Sequence, residues 1–258
     1  MNRIEKTFKQ DPAFVGYITA GHKGLDYSLK AALALIDGGV NILEIGVPFS
    51  DPVADGPVIQ NSSSHSLRNG TNIFNVLELI KNIRSRTEAP IILFSYFNPI
   101  LQADKKDIYH LAKESGVDGI LIVDLPLEES ELHIKKCKDS SIAPIFIIAP
   151  STETERIKLI DKSGSGFLYY ACRSGTTGMR NSLPLGFAQK MEHIKKETRL
   201  PVVAGFGIST KDDAREVLKY ADGFVIGSFF VNAMENGVSH EELKKLAKGI
   251  APRPTIID

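Results

Sequence analysis

The chain has little cysteine: two residues, Cys137 and Cys172, in 258. Two thiols build neither a disulfide framework nor a four-cysteine zinc site, and the six histidines show no H-x-x-x-H spacing. No metal is expected, and a reducing compartment is the default. Net charge is missing as well. Lys plus Arg number 31 and Asp plus Glu number 31, so nothing in bulk draws the protein to nucleic acid or an anionic membrane. Any anion it binds must be gripped locally. Long apolar runs are also absent. The run at 145–149 stops far short of the roughly 20 residues of a membrane helix. Residues 1–11 mix Arg3, Glu5, Lys6 and Lys9 with single apolar residues, unlike a signal peptide. These absences predict a soluble, cytoplasmic protein with no nucleic-acid or membrane partner.

What remains is ordinary globular material, 43% hydrophobic and 24% charged. Eight short apolar runs, bounded by Pro, Gly or Asp, read as strands buried on both faces: 14–19, 42–47, 91–96, 119–123, 145–148, 166–170, 202–204 and 224–226. Segments with helical spacing separate most of them. Leu29, Leu33 and Ile36 form one stripe, Ile73, Val76, Leu77 and Ile80 another, and Ile157, Leu159 and Ile160 a third. Strand alternating with helix predicts parallel pairing with right-handed crossovers. The length divided by eight gives about 32 residues, the size of one strand-plus-helix unit. No polar Pro/Gly tract marks a linker. The expected fold is an α/β single (β/α)8 TIM barrel with a short N-terminal helix, one domain over 1–258. A doubly wound sheet is the competitor, but the first strand runs into AGHKG at 20–24, which lacks the G-x-G-x-x-G turn of a dinucleotide site.

In a barrel, chemistry belongs at the C-terminal ends of the strands and in the loops after them. Glu44 interrupts the second strand and faces either the barrel interior or the surrounding helices. Burial in either place raises a carboxyl pKa toward the range useful for proton transfer. Asp55 follows on the next loop, so two carboxylates can take different roles at one substrate. The ends of the seventh and eighth strands, GFGIS at 205–209 and IGSF at 226–229, have glycines just before helices, where backbone N–H groups converge on an anion. That combination is a recurrent barrel phosphate site. Residues 171–184 carry neither strand nor helix pattern and read as a lid over substrate. Tyr169, just before it, offers a hydroxyl if it faces inward. Tyr17, Phe94, Tyr96 and Ile148, where inward-facing, line a flat apolar pocket suited to an aromatic ligand.

Taken together, these motifs resemble the tryptophan synthase α subunit family over essentially the full chain. The segment LEIGVPFSDPVADGPVIQ at 43–60 is similar to that family's signature, and RSGTTG at 173–178 and GFGIS at 205–209 match two further family segments in the same order. The resemblance implies retro-aldol cleavage of indole-3-glycerol phosphate to indole and glyceraldehyde 3-phosphate, with no cofactor in this chain. Glu44 is then the general acid/base and Asp55 the partner of the indole N–H, supported by Tyr169 and Thr177. Gly178, Phe206, Gly207, Gly227 and Ser228 bind phosphate, and Tyr17, Phe94, Tyr96 and Ile148 line the indole pocket. The family further implies a β subunit carrying PLP, assembled as an α2β2 heterotetramer that passes indole between sites. Asp51, Pro52, Asn98 and Pro126 resemble its docking face. A stand-alone indole-releasing lyase and a non-catalytic ligand-sensing activator are the competing readings. Two departures stand out: Tyr17 and Phe94 occupy positions where Phe and Leu occur in the family, and His22-Lys23 stand where Asp-Pro is often found.

Overall fold

A computed structural model describes residues 1–172, 183, 185–205 and 207–252. Eight parallel strands close into a barrel in chain order: β1 (Ala13–Thr19), β2 (Ile42–Gly46), β3 (Ile91–Ser95), β4 (Gly119–Ile122), β5 (Ala143–Ile148), β6 (Leu168–Ala171), β7 (Val202–Gly205) and β8 (Gly223–Ile226). The expected strands all form, with ends shifted by one or two residues. β1 pairs with both β2 and β8, which leaves no edge.

Strand alternation sorts side chains into two cores. Val15, Ile42, Ile92, Leu121, Ile145, Phe167, Val203 and Val225 fill the barrel interior, while Phe14, Leu43, Leu93, Ile120, Leu168 and Phe224 pack outward against the helices. The N-terminal helix Arg3–Gln10 closes the bottom. Its fully buried Ile4 joins the interior core, and Phe8 meets the Phe167 ring at 5.9 Å. Asp118 ties that end together, accepting from Arg84 Nη2 at 2.7 Å, Arg3 Nη1 at 3.2 Å and the Ile91 N–H at 2.9 Å. With the bottom plugged, the interior opens only upward, where the strands end.

The helical stripes differ in one respect. Ile73, Val76, Leu77 and Ile80 are all buried, as their spacing predicts. On Leu25–Asp37, however, the buried face is Ser28, Ala31, Ala32 and Leu35, while Leu29, Leu33 and Ile36 are half-buried on its flank. Small residues let the helix approach the strands closely, so the larger side chains are left at the seams. Leu159 is 57% exposed, although Ile157 and Ile160 on the same helix are buried.

Candidate active site

Two residues beyond the interior layer, the strands place a second ring of side chains at the mouth: Tyr17, Glu44, Phe94, Ile147 and Tyr169, with Gly205 and Gly227 at the β7 and β8 ends. Tyr17 and Glu44 are direct register partners, and Glu44 is paired on its other side with Ile92. Of the two orientations open to Glu44, the structure selects the barrel interior, on the same side as Ile42. Its side chain is 1% exposed, and Oε1 has no hydrogen-bond partner among the described residues. Burial without compensation disfavours the charged form, and the carboxyl is pushed up to about 8.

Asp55 sits in the turn before the helix Pro57–Arg68 and is also buried. Its Oδ2 accepts from the Tyr96 hydroxyl at 2.8 Å. Burial raises its pKa to about 6, with the Tyr96 bond pulling the other way. Burial thus leaves the two carboxyls unequal, the Glu44 carboxyl holding its proton more tightly than that of Asp55.

Tyr96 has another job than the apolar wall expected of it. Its hydroxyl accepts from the Ala54 N–H at 3.0 Å and its ring stacks on Phe49 at 4.9 Å, so it braces the Asp55 turn. Tyr17 and Phe94 do form a wall, their rings meeting edge to face at 5.2 Å. The hydroxyl of Tyr17 is satisfied by a short chain. Ser62 Oγ donates to the Ile59 carbonyl at 2.8 Å, so Thr19 Oγ1 donates to Ser62 at 2.6 Å and Tyr17 donates to Thr19 at 3.3 Å. Tyr169 lies close enough to Glu44 for that carboxylate's charge, after burial, to raise its phenol well above the ordinary value. Both mouth tyrosines therefore remain neutral.

Ile148 is a correction. On β5 the inward series is Ala143, Ile145 and Ile147, so Ile148 points into the outer core and Ile147 faces the mouth. Gly46 and Gly205 were the positions whose roles sequence reasoning missed. A Cβ on Gly46 would lie 2.2 Å from the Tyr17 hydroxyl oxygen, and one on Gly205 2.6 Å from that of Tyr169. The signal was a glycine two places beyond a tyrosine's register partner: Tyr17 pairs with Glu44 and Tyr169 with Val203.

At the β7 and β8 ends, the helix Lys211–Leu218 is capped by its own side chains. Asp213 accepts from the Thr210 N–H at 3.1 Å and the Ser209 N–H at 3.3 Å. The helix Ser228–Glu235 has Gly227 as its N-cap and no side-chain cap, so its first N–H groups are the better placed to receive an anion. Gly207 has φ +84°, a conformation that requires glycine, whereas Gly227 has φ −117°. Thr177, Gly178 and Phe206 lie outside the described residues. Asp51, Asn98 and Pro126 are exposed and Pro52 is half-buried; Asp51 and Pro52 lie on the loop after β2, Asn98 in the first turn of the helix Phe97–Ala103 that follows β3, and Pro126 on the loop after β4, with Val53 at 77% and Leu101 at 50% exposure near them in sequence.

Residues 4–252 match the family model described as tryptophan synthase alpha chain. The tryptophan synthase alpha chain of Coxiella burnetii strain CbuK_Q154 is 56% identical over 252 residues, covering 98% of each chain. That of Chlamydia felis is 44% identical, covering 98% of this chain and all of the other. Among solved structures, the tryptophan synthase subunit alpha of Legionella pneumophila superposes with a TM-score of 0.87 at 31% identity, covering 97% of both chains. With this barrel, this motif order and this extent of similarity, the chain belongs to the tryptophan synthase alpha chain family.

Proposed function

We propose that Glu44 and Asp55 carry out the lyase reaction of that family, the retro-aldol cleavage of indole-3-glycerol phosphate. The substrate's indole lies between the Tyr17–Phe94 wall and Asp55, and its phosphate meets the backbone N–H groups of Gly207, Gly227 and Ser228. Protonated Glu44 delivers a proton to indole C3. Asp55, ionised and facing the indole N–H, stabilises the positive charge that develops on the ring. The Glu44 carboxylate then accepts the proton of the adjacent glycerol hydroxyl. The carbon–carbon bond breaks, its electron pair restores the aromatic ring, and the hydroxyl-bearing carbon becomes the aldehyde. The proton gained at C3 equals the one lost from the hydroxyl, so glutamic acid is regenerated without an external co-reactant. The observation that carries this reading is the buried Glu44 at the barrel mouth, its Oε1 without a hydrogen-bond partner among the described residues, together with Asp55, a second buried carboxyl of lower pKa. Thr177, Gly178 and Phe206 belong to the same reading as lid and phosphate contacts.

The exposed face around Asp51, Pro52, Asn98 and Pro126 docks a β subunit in this reading, which gives a cytoplasmic α2β2 heterotetramer with PLP held by the partner. The deciding experiment measures indole release from indole-3-glycerol phosphate by the chain alone and with added β subunit. Slow cleavage alone that rises with the partner is expected. A fast rate that is indifferent to the partner identifies a stand-alone lyase, and no cleavage in either case identifies an activator subunit.

A separate variant tests the phosphate end. A methyl on Gly227 would contact the Tyr17 side chain at 3.5 Å, ordinary van der Waals distance, and its φ suits any residue. Gly227→Ala is therefore expected to keep the wild-type melting temperature. It should bind indole-3-glycerol phosphate about tenfold more weakly, ~1.4 kcal/mol. Equal weakening toward a phosphate-free indole analogue would remove phosphate from this turn.

A further inference from the structure

His22, one of the residues that depart from the family pattern, lies on the turn after β1 and is 4% exposed. It meets two residues from distant segments. Its Nε2 is hydrogen-bonded to Glu235 Oε2, and His65 Nδ1 lies 3.5 Å from Glu235 Oε1. The two imidazoles stack with centroids 5.8 Å apart and planes 17° apart. One ligand atom from each of the three residues falls within 4.8 Å of the others. No spacing along the chain reveals this, because the residues are 43 and 170 positions apart in sequence order.

We propose that His22, His65 and Glu235 form a binding site for a divalent transition metal of the zinc class. Two neutral imidazoles and one carboxylate supply an N₂O set that suits such ions and gives little to magnesium or calcium, which prefer oxygen. A tetrahedral zinc with bonds near 2 Å needs ligand atoms about 3.3 Å apart, so side-chain adjustments of roughly 1 Å complete the geometry. A single ion pair would employ one imidazole; here two converge on one carboxylate.

The backbone adds a second, independent reason. His65 is in the last turn of Pro57–Arg68, and Glu235 is the final residue of Ser228–Glu235. Two helix C-termini, each carrying partial negative charge, therefore approach the same point, which favours a cation. The site is also reachable: the side chains of His65 and Glu235 are 35% and 33% exposed, leaving room for entry and for a water as fourth ligand. Asn61 Nδ2 sits 3.4 Å from Glu235 Oε1 and steadies the carboxylate, while Lys23 Nζ is on the Glu235 main-chain carbonyl at 3.2 Å. His22 Nδ1 is buried without a partner among the described residues. In the metal-free protein the neutral ring carries its proton on Nε2, toward Glu235. Loading Nε2 with metal moves that proton to Nδ1, where it finds no acceptor, so the expected affinity is micromolar rather than nanomolar. A bound ion would clamp the β1 turn to both helices, the second of which begins at the Gly227 turn.

The test is calorimetric titration of the tag-free full chain with Zn²⁺, after chelator treatment, beside titrations with Mg²⁺. One zinc per chain, no magnesium binding and a higher melting temperature with zinc are expected. His65→Gln, a half-exposed helix-surface change, should weaken zinc binding at least tenfold while melting like wild type in chelator. His22→Gln should do the same; should it fail to fold, the His65 variant decides alone. Absence of saturable zinc binding by the wild type, or unchanged binding by His65→Gln, would overturn the site. An anomalous-scattering peak elsewhere, for example at the exposed His110–Glu114 pair, would do so as well.

Discussion

Replacing Glu44 with Gln is expected to lower the rate of indole release by about 10² to 10⁴, the usual value of a positioned acid/base. Gln keeps the shape of the side chain but can neither give nor take the proton. KM should change little, because Glu44 is enclosed among mouth residues and acts on the reacting atoms rather than gripping the phosphate. The same variant makes a second, thermodynamic prediction. The Glu44 carboxyl rises from 4.5 to about 8 on folding, so the native state holds its proton more tightly than the unfolded chain. Its contribution to stability is fully present below about pH 4.5 and is lost as pH rises through about 8. A tenfold gain in proton affinity is worth about 1.4 kcal/mol, so up to about 5 kcal/mol of pH-dependent stability resides in this one group. Between pH 5 and 8, denaturant melts should show wild-type stability falling relative to Glu44→Gln. A variant that cleaves like wild type would sink the acid/base role. A constant stability gap across that range would sink the buried, protonated carboxyl.

How much of this site could be read from the order of residues depends on whether the relevant physics is local. Strand periodicity and Gly/Pro punctuation are local, and they located all eight strands. They also marked Glu44 as the anomaly in an apolar run, but left its facing open until Ile42 was seen in the interior core. Ile148 failed for the same reason in reverse: a one-residue change of phase exchanges inside for outside, and only the paired neighbours set the phase. Helix faces were misread where Ala31 and Ala32 take the contact, because close packing rewards small side chains that a search for large apolar ones passes over. Tyr96 and Asp55 are 41 residues apart, and nothing in the spacing announces that a hydroxyl will brace that carboxylate. The cluster at His22 was invisible in the same way, since its three members share no segment.

Asp55→Asn is expected to cost about 10² to 10³ in kcat/KM, comparable to removing one fixed group that stabilises transition-state charge. Asn keeps an oxygen able to accept from the indole N–H but carries no charge to offset the cation formed when C3 is protonated. Asp55 and Glu44 together predict a bell-shaped pH profile for the wild type. Activity falls below about pH 6 as Asp55 takes up a proton and above about pH 8 as Glu44 loses one. Tyr96→Phe then separates charge from shape. Its hydroxyl bond to Asp55 favours the ionised form; a hydrogen bond to a charged group contributes about 1.5 kcal/mol or more, and losing it should raise the Asp55 pKa by roughly one unit. The acid limb of the profile should therefore move up toward pH 7, while the limb assigned to Glu44 stays in place. Asp55→Asn should abolish the acid limb altogether. Should the Tyr96→Phe profile coincide with wild type, or Asp55→Asn retain full kcat/KM, the charge on Asp55 is not what the reaction uses.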